Sequence, residues 1–529
     1  MHDSPEAPDA AIHRRRWATL AVLCLSLFAV VMDGTIVNVA LPSLVTELGA
    51  TTRQLQWIVD AYLLVFTGLL LAAGSFGDRY GRRRALALGL VLFGATSALA
   101  GSVGSPAALI ASRALMGVGA ALIFPATLAV LTNAFVVPKE RAAAIGIWSA
   151  MSGMAVAAGP ILGGWLLEQF WWGSVFFVNI PLIGLALVGV AIFVPESRER
   201  KTPPLDVAGL LLSVAAITTV VYTIIEAPEW GWTSSTTFLG ATIGAALVAI
   251  FVRWELHVEH PMLPVRIFRN LRFSAASLSI TSAFFALFGF IFLITQYFQL
   301  VRQYSPLEAG LRTIPVALSI AVASVLSPKL VDRIGTTKVV SAGLASMAIG
   351  FLWVSTASAS TPYIEIVGQM VFLGLGLGMT TAPATESIMG SVDLDKAGVG
   401  SAVNDTTREL GGTLGVAVIG SIFSSIYVNA LRGGTVFSQL PGVAQTATED
   451  SVGAAGIVAQ RMPSGLVPAY LTEVSDAFLA GLHIACLVTA GVAIAGSIVA
   501  AIFLPARAVD PSDQSAEAST EPNPIPVAG

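Results

Sequence analysis

Charge is what this chain has least of. Of its 529 residues only 11% are charged and 55% are hydrophobic, and the mean hydropathy is +0.79. A soluble domain carries about 25% charged residues, so the scarcity excludes a soluble enzyme and leaves a polytopic membrane protein. Cysteine is almost as scarce. Cys24 and Cys486 each sit inside an apolar run, which excludes a disulfide framework and leaves two small buried hydrophobes. No P-loop occurs, so ATP hydrolysis is not the energy source. His257 and His260 fall in a connecting loop with no partner set. No metal site and no cofactor are expected, and nothing suggests a nucleic-acid partner. A β-barrel would show alternating segments of about ten residues. The runs here are long and unbroken, which points to an all-α chain.

What is present is a series of such runs. A helix needs about 20 apolar residues to cross the hydrocarbon core. Fourteen spans are expected near 17–40, 55–76, 84–104, 107–133, 142–167, 174–194, 205–226, 237–254, 273–299, 308–328, 337–357, 364–390, 404–428 and 479–504. Arg14-Arg15-Arg16 ahead of Trp17–Val31 imitates a signal peptide. The run continues past any small-residue cleavage site, so it is read as the first span. With the N-terminus in the cytoplasm, 22 of the 28 Lys and Arg residues fall on the cytoplasmic side, as the positive-inside rule requires. Arg53, Arg302, Arg312, Arg432 and Arg461 fall outside, and Arg113 lies within a span. A missed span would invert every later loop. The expectation is a multi-pass protein of the cytoplasmic (inner) membrane with both termini in the cytoplasm.

Gly77-Asp78-Arg79-Tyr80-Gly81-Arg82-Arg83-Arg84 follows span 2, and Val331-Asp332-Arg333-Ile334-Gly335-Thr336-Thr337-Lys338 follows span 10. Both read x-D-R-x-G-x-x-basic in short loops eight spans apart. Two six-span halves separated by two extra spans explain the echo, and such repeats place a transporter's substrate site between the halves. The expected organisation is a cytoplasmic segment 1–16, a six-helix bundle 17–194, a linker 195–272 with two additional spans and a second six-helix bundle 273–505. The second bundle includes an outer loop 430–476, with room for a short helix or hairpin. The polar, Pro-rich tail 506–529 is expected to be disordered.

Ionisable residues interrupt the apolar runs. At a helical rise of ~1.5 Å per residue, Asp33 lies about 13 Å below the outer surface, and Asp60 and Arg113 each about 10 Å below it. The three share one level. A buried Arg needs a counter-charge, and a carboxylate at that depth needs a cation or a proton.

Several stretches together resemble the major facilitator superfamily, and within it the fourteen-span drug:proton antiporters. Met32–Pro42 is similar to the first-helix motif. Gly74-Ser75-Phe76-Gly77-Asp78-Arg79-Tyr80-Gly81-Arg82-Arg83 is similar to the loop 2–3 motif, and Leu109–Ala121 with Arg113 and Gly117 to the fourth-helix motif. Gly153-Met154-Ala155-Val156-Ala157-Ala158-Gly159-Pro160-Ile161-Leu162-Gly163-Gly164 is similar to the fifth-helix motif of antiporters. Asn404–Gly412 resembles the thirteenth-helix segment of exporters of quaternary ammonium compounds and dyes. The second-half loop departs from the motif, with Thr336 and Thr337 at two basic positions.

The resemblance implies a major facilitator fold of 6+2+6 helices with pseudo-twofold halves. It also implies a monomeric carrier, in the lipid bilayer, of protons and a small-molecule substrate. The function implied is proton-driven efflux of lipophilic, often cationic drugs by alternating access. A dedicated exporter of one endogenous metabolite, antibiotic or lipid would share every motif. A proton-coupled nutrient importer would share the fold, although Gly159-Pro160 argues against it.

Asp33 is expected to be the main exchangeable site, taking a proton or helping to bind a cation; the alternative is a permanent Asp33–Arg113 pair that only joins helices. Asp60 lies beside Trp57 and Tyr62, which suit either interface anchoring or an organic cation. Asp405 and Glu409 share a face of span 13, with Glu386 of span 12 within approach. They form either an inner acidic cluster or, for Asp405, a solvated helix start. Glu226 and Glu308 read as interfacial, and the Phe284–Phe292 aromatics as core or pocket lining. Gly74, Asp78, Arg79, Gly81, Arg82, Arg83, Asp332 and Arg333 are expected to form gating loops. Gly153, Gly159, Gly163 and Gly164 expose backbone for close helix contact, and Pro160 interrupts the ladder.

Overall fold

The computed structural model describes residues 10–197, 206–392 and 397–505. Arg198, Arg200, Lys201, Lys396, Arg507 and the tail 506–529, all assigned above to the cytoplasm, lie outside the described residues.

Fourteen helices are long and apolar enough to cross a membrane. They are α1 Arg15–Leu48, α2 Thr52–Tyr80, α3 Arg82–Ala100, α4 Pro106–Ala134, α5 Ala143–Gln169, α6 Ser174–Phe193, α7 Val207–Trp230 and α8 Ser235–His257. The rest are α9 Leu271–Val301, α10 Pro306–Ile334, α11 Thr336–Val354, α12 Tyr363–Met389, α13 Gly400–Arg432 and α14 Val467–Phe503. Short polar residues set their starts. Thr51 and Gln54 form a capping box on α2, and Ser305 and Glu308 form another on α10. Ser105, Asp206, Ser234 and Asn270 cap α4, α7, α8 and α9 through their side chains. Each satisfies backbone N–H groups that the apolar run cannot.

The packing pattern repeats eight helices along the chain. In the first half α2 and α3 lie against α4, and α1 against α5; in the second, α10 and α11 lie against α12, and α9 against α13. Glycines let these backbones meet. A Cβ on Gly117 of α4 would sit 2.6 Å from the Tyr62 carbonyl of α2, and one on Gly378 of α12 would sit 2.6 Å from the Ile320 carbonyl of α10. The two extra helices pair with each other. α7 touches α2 on one side and α13 on the other, so it bridges the halves, while α8 lies at the periphery. Phe238, Leu239 and Ile250 of α8 are exposed, as expected of a helix facing lipid.

The connection after α13 is shorter than the expected 430–476. α14 begins at Val467, and the segment before it holds two short helices, Gly442–Asp450 and Val452–Gln460. The polar start of α14 reads as loop in sequence because its partners are in this hairpin. The Glu473 carboxylate accepts the N–H groups of Val436 and Phe437, and the Tyr470 hydroxyl lies 2.6 Å from the Thr448 hydroxyl.

Candidate transport and coupling site

The two halves meet on the face that carries the α1–α2, α9–α10 and α13–α14 connections, here called the distal face. The Gln56 amide donates to Ala417 O and to Ser421 Oγ, both at 3.3 Å. The Gln299 amide, presented by a π-helical turn at Tyr297–Val301, donates to Val39 O at 2.9 Å. Thr52 donates to Asp450 O, and Leu307 N–H to Glu168. A Cβ on Gly164 would lie 2.6 Å from Leu307 Cα, so α5 and α10 touch backbone to backbone. Gly159 and Gly163 bring α5 equally close to Met32, Thr35 and Ile36 of α1. Gly153 meets nothing within 4 Å. The distal end of this segment is therefore the part that seals. Among the described residues, no hydrogen bond joins α1–α6 to α9–α14 on the opposite, proximal face. The structure is closed distally.

Below the seal, Asp33 and Arg113 are both 0% exposed and form an ion pair through Asp33 Oδ2. Arg113 Nε also donates to Ile58 O at 3.0 Å, and its guanidinium lies 4.2 Å from the Tyr62 ring centroid. The second carboxylate oxygen, Oδ1, accepts from the Asn179 amide at 2.9 Å. That amide also donates to Ser97 Oγ at 3.0 Å, and Ser97 donates on to Phe176 O at 2.9 Å. Five helices thus converge on Asp33: α1, α2, α3, α4 and α6. Asn179 and Ser97 escape a reading for charge. The detectable signal was Asn179 two residues before Pro181 inside an apolar run.

Asp60 is in the opposite situation. It is 0% exposed, and neither carboxylate oxygen has a hydrogen-bond partner. It lies four residues from Gln56 and so on the same side of α2, which faces α13. On α13, Glu409 shares the stripe of Ala417 about two turns closer to the proximal face. Tyr62 lies within electrostatic range of Asp33, Arg113 and Glu409, and so stands between the two groups of charges.

Asp405 and Glu409 do interact electrostatically, and Arg408 acts on both. Asp405 accepts from Asn404 at 3.2 Å, and Arg408 donates to Thr385 while lying 5.5 Å from the Phe284 ring centroid. Glu386 does not join them. It is exposed, and the charge it acts on is Arg272. Glu226 pairs with Arg53 at 2.8 Å and takes a hydrogen bond from Trp57, and Glu308 completes the cap of α10. Phe290 and Phe292 are buried in the second half, whereas Phe284 and Phe288 stack at 6.4 Å.

In the α2–α3 loop the Asp78 carboxylate accepts from Arg82 Nε at 2.8 Å. Gly81, at φ +112°, makes the turn, and Arg82 N–H and the Arg83 guanidinium donate to Ser197 O and Ala191 O of the chain leaving α6. Gly74 lies against Pro125, and Arg79 reaches over the Tyr80 ring. The α10–α11 loop repeats the turn with Gly335 at φ +86° but not the ion pair. Asp332 and Arg333 are exposed, and Thr336 stands where Arg82 would be.

The model for the Major Facilitator Superfamily matches residues 23–416. The chain belongs to the Major Facilitator Superfamily. Among its relatives is the multidrug efflux pump LfrA of Mycolicibacterium smegmatis, 34% identical over 92% of this chain and 96% of that protein. The tetracenomycin C resistance and export protein of Streptomyces glaucescens is 32% identical over 98% and 97%. The methyl viologen resistance protein SmvA of Salmonella typhimurium is 34% identical over 79% and 84%. A bacterial homolog of the human lysosomal transporter Spinster, in an inward-facing and unoccupied crystal structure, superposes with TM-score 0.63 at 16% identity, covering 94% of this chain and 99% of that one. The D-xylose-proton symporter superposes with TM-score 0.58 at 14% identity, covering 93% and 98%. These two likenesses establish the fold.

Proposed function

We propose that this superfamily member exports lipophilic, often cationic drugs across the cytoplasmic membrane in exchange for protons, working as a monomer by alternating access. The multidrug and methyl viologen resistance relatives support the substrate class. The basic residues in the proximal loops support a cytoplasmic proximal face, which puts the distal seal on the outside.

The observation that carries proton coupling is the unpartnered carboxylate of Asp60. An ionised carboxylate out of water and without a donor is strongly disfavoured. A proton on Asp60 removes that penalty, and an arriving organic cation removes it as well. The two are therefore alternatives at one site. Asp33, held by Arg113 within the first half, is the second exchangeable group, released when a proton reaches its carboxylate and the pair parts. Glu409 and Asp405 attract the cation toward α13 from the cytoplasmic side. The Asp78–Arg82 bond holds the cytoplasmic loop of the first half and is remade in each cycle.

The test is proton movement in inside-out vesicles of the purified protein under an imposed pH gradient. Adding ethidium should collapse the gradient, and Asp60→Asn or Asp33→Asn should abolish the collapse while leaving the protein in the membrane. No response to any cation would instead favour a dedicated exporter of one compound, the reading that the similarity to the tetracenomycin C exporter supports.

A further inference from the structure

Arg113 can hold Asp33 in only one state. A guanidinium donates and never accepts. Once Asp33 takes a proton, it needs an acceptor for its own O–H, and Arg113 offers none. The hydroxyl protons at hand are directed elsewhere. The Tyr62 hydroxyl donates to Val30 O at 3.1 Å, and Ser97 donates to Phe176 O. Among the described residues, a free acceptor adjoins Asp33. Asn179 Oδ1 is buried and has no hydrogen-bond partner, although Asn179 is 0% exposed and its amide nitrogen already touches Asp33 Oδ1. Buried polar atoms are nearly always paired, so an orphan asks for an explanation.

We propose that Asn179 is the positioning residue that holds Asp33 in both its ionised and its protonated forms, by turning its amide. The proposal rests on Asp33 being an exchangeable proton site. In the structure the amide N–H donates to the carboxylate. The Ser97 hydroxyl proton is directed at Phe176 O, so Ser97 faces the amide as an acceptor and fixes this orientation. When Asp33 gains a proton, a half-turn about the Asn179 χ2 brings Oδ1 to the carboxyl, which then donates to it. The Ser97 hydroxyl turns with it, leaves Phe176 O and donates to Asn179 Oδ1. No new group has to enter. Arg113, whose Nη2 is also without a partner, keeps Ile58 O and the Tyr62 ring while it waits for the carboxylate to return.

Local structure supports the placement. Helix α6 is interrupted at Val178, between Ser174–Phe177 and Asn179–Phe193. Pro181 has no N–H to give to the Phe177 carbonyl, so one ladder bond is missing there while Val178 keeps helical dihedrals, and Asn179 sits at this gap, facing α1 and α3.

The test compares Asn179→Leu, Asn179→Gln and Asp33→Asn in reconstituted vesicles. Three properties are read: uphill ethidium transport driven by a pH gradient, ethidium counterflow without a gradient, and the melting temperature. Leucine keeps the volume but neither donates nor accepts. Asn179→Leu should slow uphill transport about tenfold, the scale of one lost hydrogen bond, with counterflow far less affected. Gln, which keeps both functions of the amide, should recover part of the loss. Equal losses in uphill transport, counterflow and melting temperature would make Asn179 purely structural and overturn the proposal. Wild-type transport in Asn179→Leu beside a dead Asp33→Asn would overturn it too, leaving the coupling role of Asp33 intact. Full uphill transport in Asp33→Asn would instead remove the reading of Asp33 on which the proposal stands.

Discussion

Asp33 and Asp60 sit on neighbouring helices, equally buried, and differ only in what surrounds them. Asp33 meets a guanidinium and an amide, whereas Asp60 meets no donor at all. The Asp33–Arg113 pair makes a sharp demand on stability. Removing one partner of a buried ion pair leaves an uncompensated charge and costs roughly 3–5 kcal/mol, whereas removing both charges is often nearly neutral. Arg113→Met should therefore lower the melting temperature strongly, and Asp33→Asn added to it should restore most of the loss. If the double variant melts no higher than Arg113→Met alone, the pair is not what holds these helices. The sequence made this pair legible, because charges are rare in apolar runs and the helical rise puts Asp33 and Arg113 at one level. Asn179 was hidden for the same reason in reverse. An uncharged amide in an apolar run carries no penalty large enough to stand out, and only the break before Pro181 marks it.

At the scale of elements, the internal repeat is real in backbone and unequal in chemistry. Gly81 and Gly335 both take positive φ, and the same helices follow them. Asp78 has Arg82 four residues on, while Asp332 has Thr336, which cannot supply a charge-assisted bond. The loop of the first half is also tied to the end of α6 through Ser197 and Ala191. Asp78→Ala should then depress transport severalfold with little change in ethidium affinity, and Asp332→Ala should depress it far less. Vesicle uptake set beside an equilibrium binding curve separates the two quantities. Equal effects of the two substitutions would show that the turn, and not the ion pair, is what matters. This asymmetry could be read from Thr336 and Thr337 alone. The extra turns at the start of α14 could not, because Tyr470 and Glu473 look solvated until the hairpin that binds them is seen. Nor could the position of Glu386, since two carboxylates near one membrane level need not share a face.

For the whole molecule, the number of exchangeable carboxylates fixes which gradient does the work. One proton entering against one monovalent cation leaving moves no net charge. Such a carrier uses only the pH gradient, ~1.4 kcal/mol per unit. If Asp33 and Asp60 each carry a proton, a monovalent drug leaves as two protons enter. One positive charge then moves inward per cycle, and the membrane potential adds ~2.3 kcal/mol per 100 mV. A dication exchanged for the same two protons is electroneutral again. Ethidium efflux should thus accelerate when a potassium gradient with valinomycin sets the cytoplasmic side negative, while methyl viologen efflux should not respond. The Asp60→Asn protein, if it retains residual exchange through Asp33, should lose the voltage response to ethidium and keep the pH response. On the distal face the halves are joined by Gln56, Gln299 and the α5–α10 contact. Voltage-independent ethidium efflux in the unmodified protein would reduce the coupling to a single proton. Asp33, already ion-paired, would then be structural, and Asp60 alone would exchange.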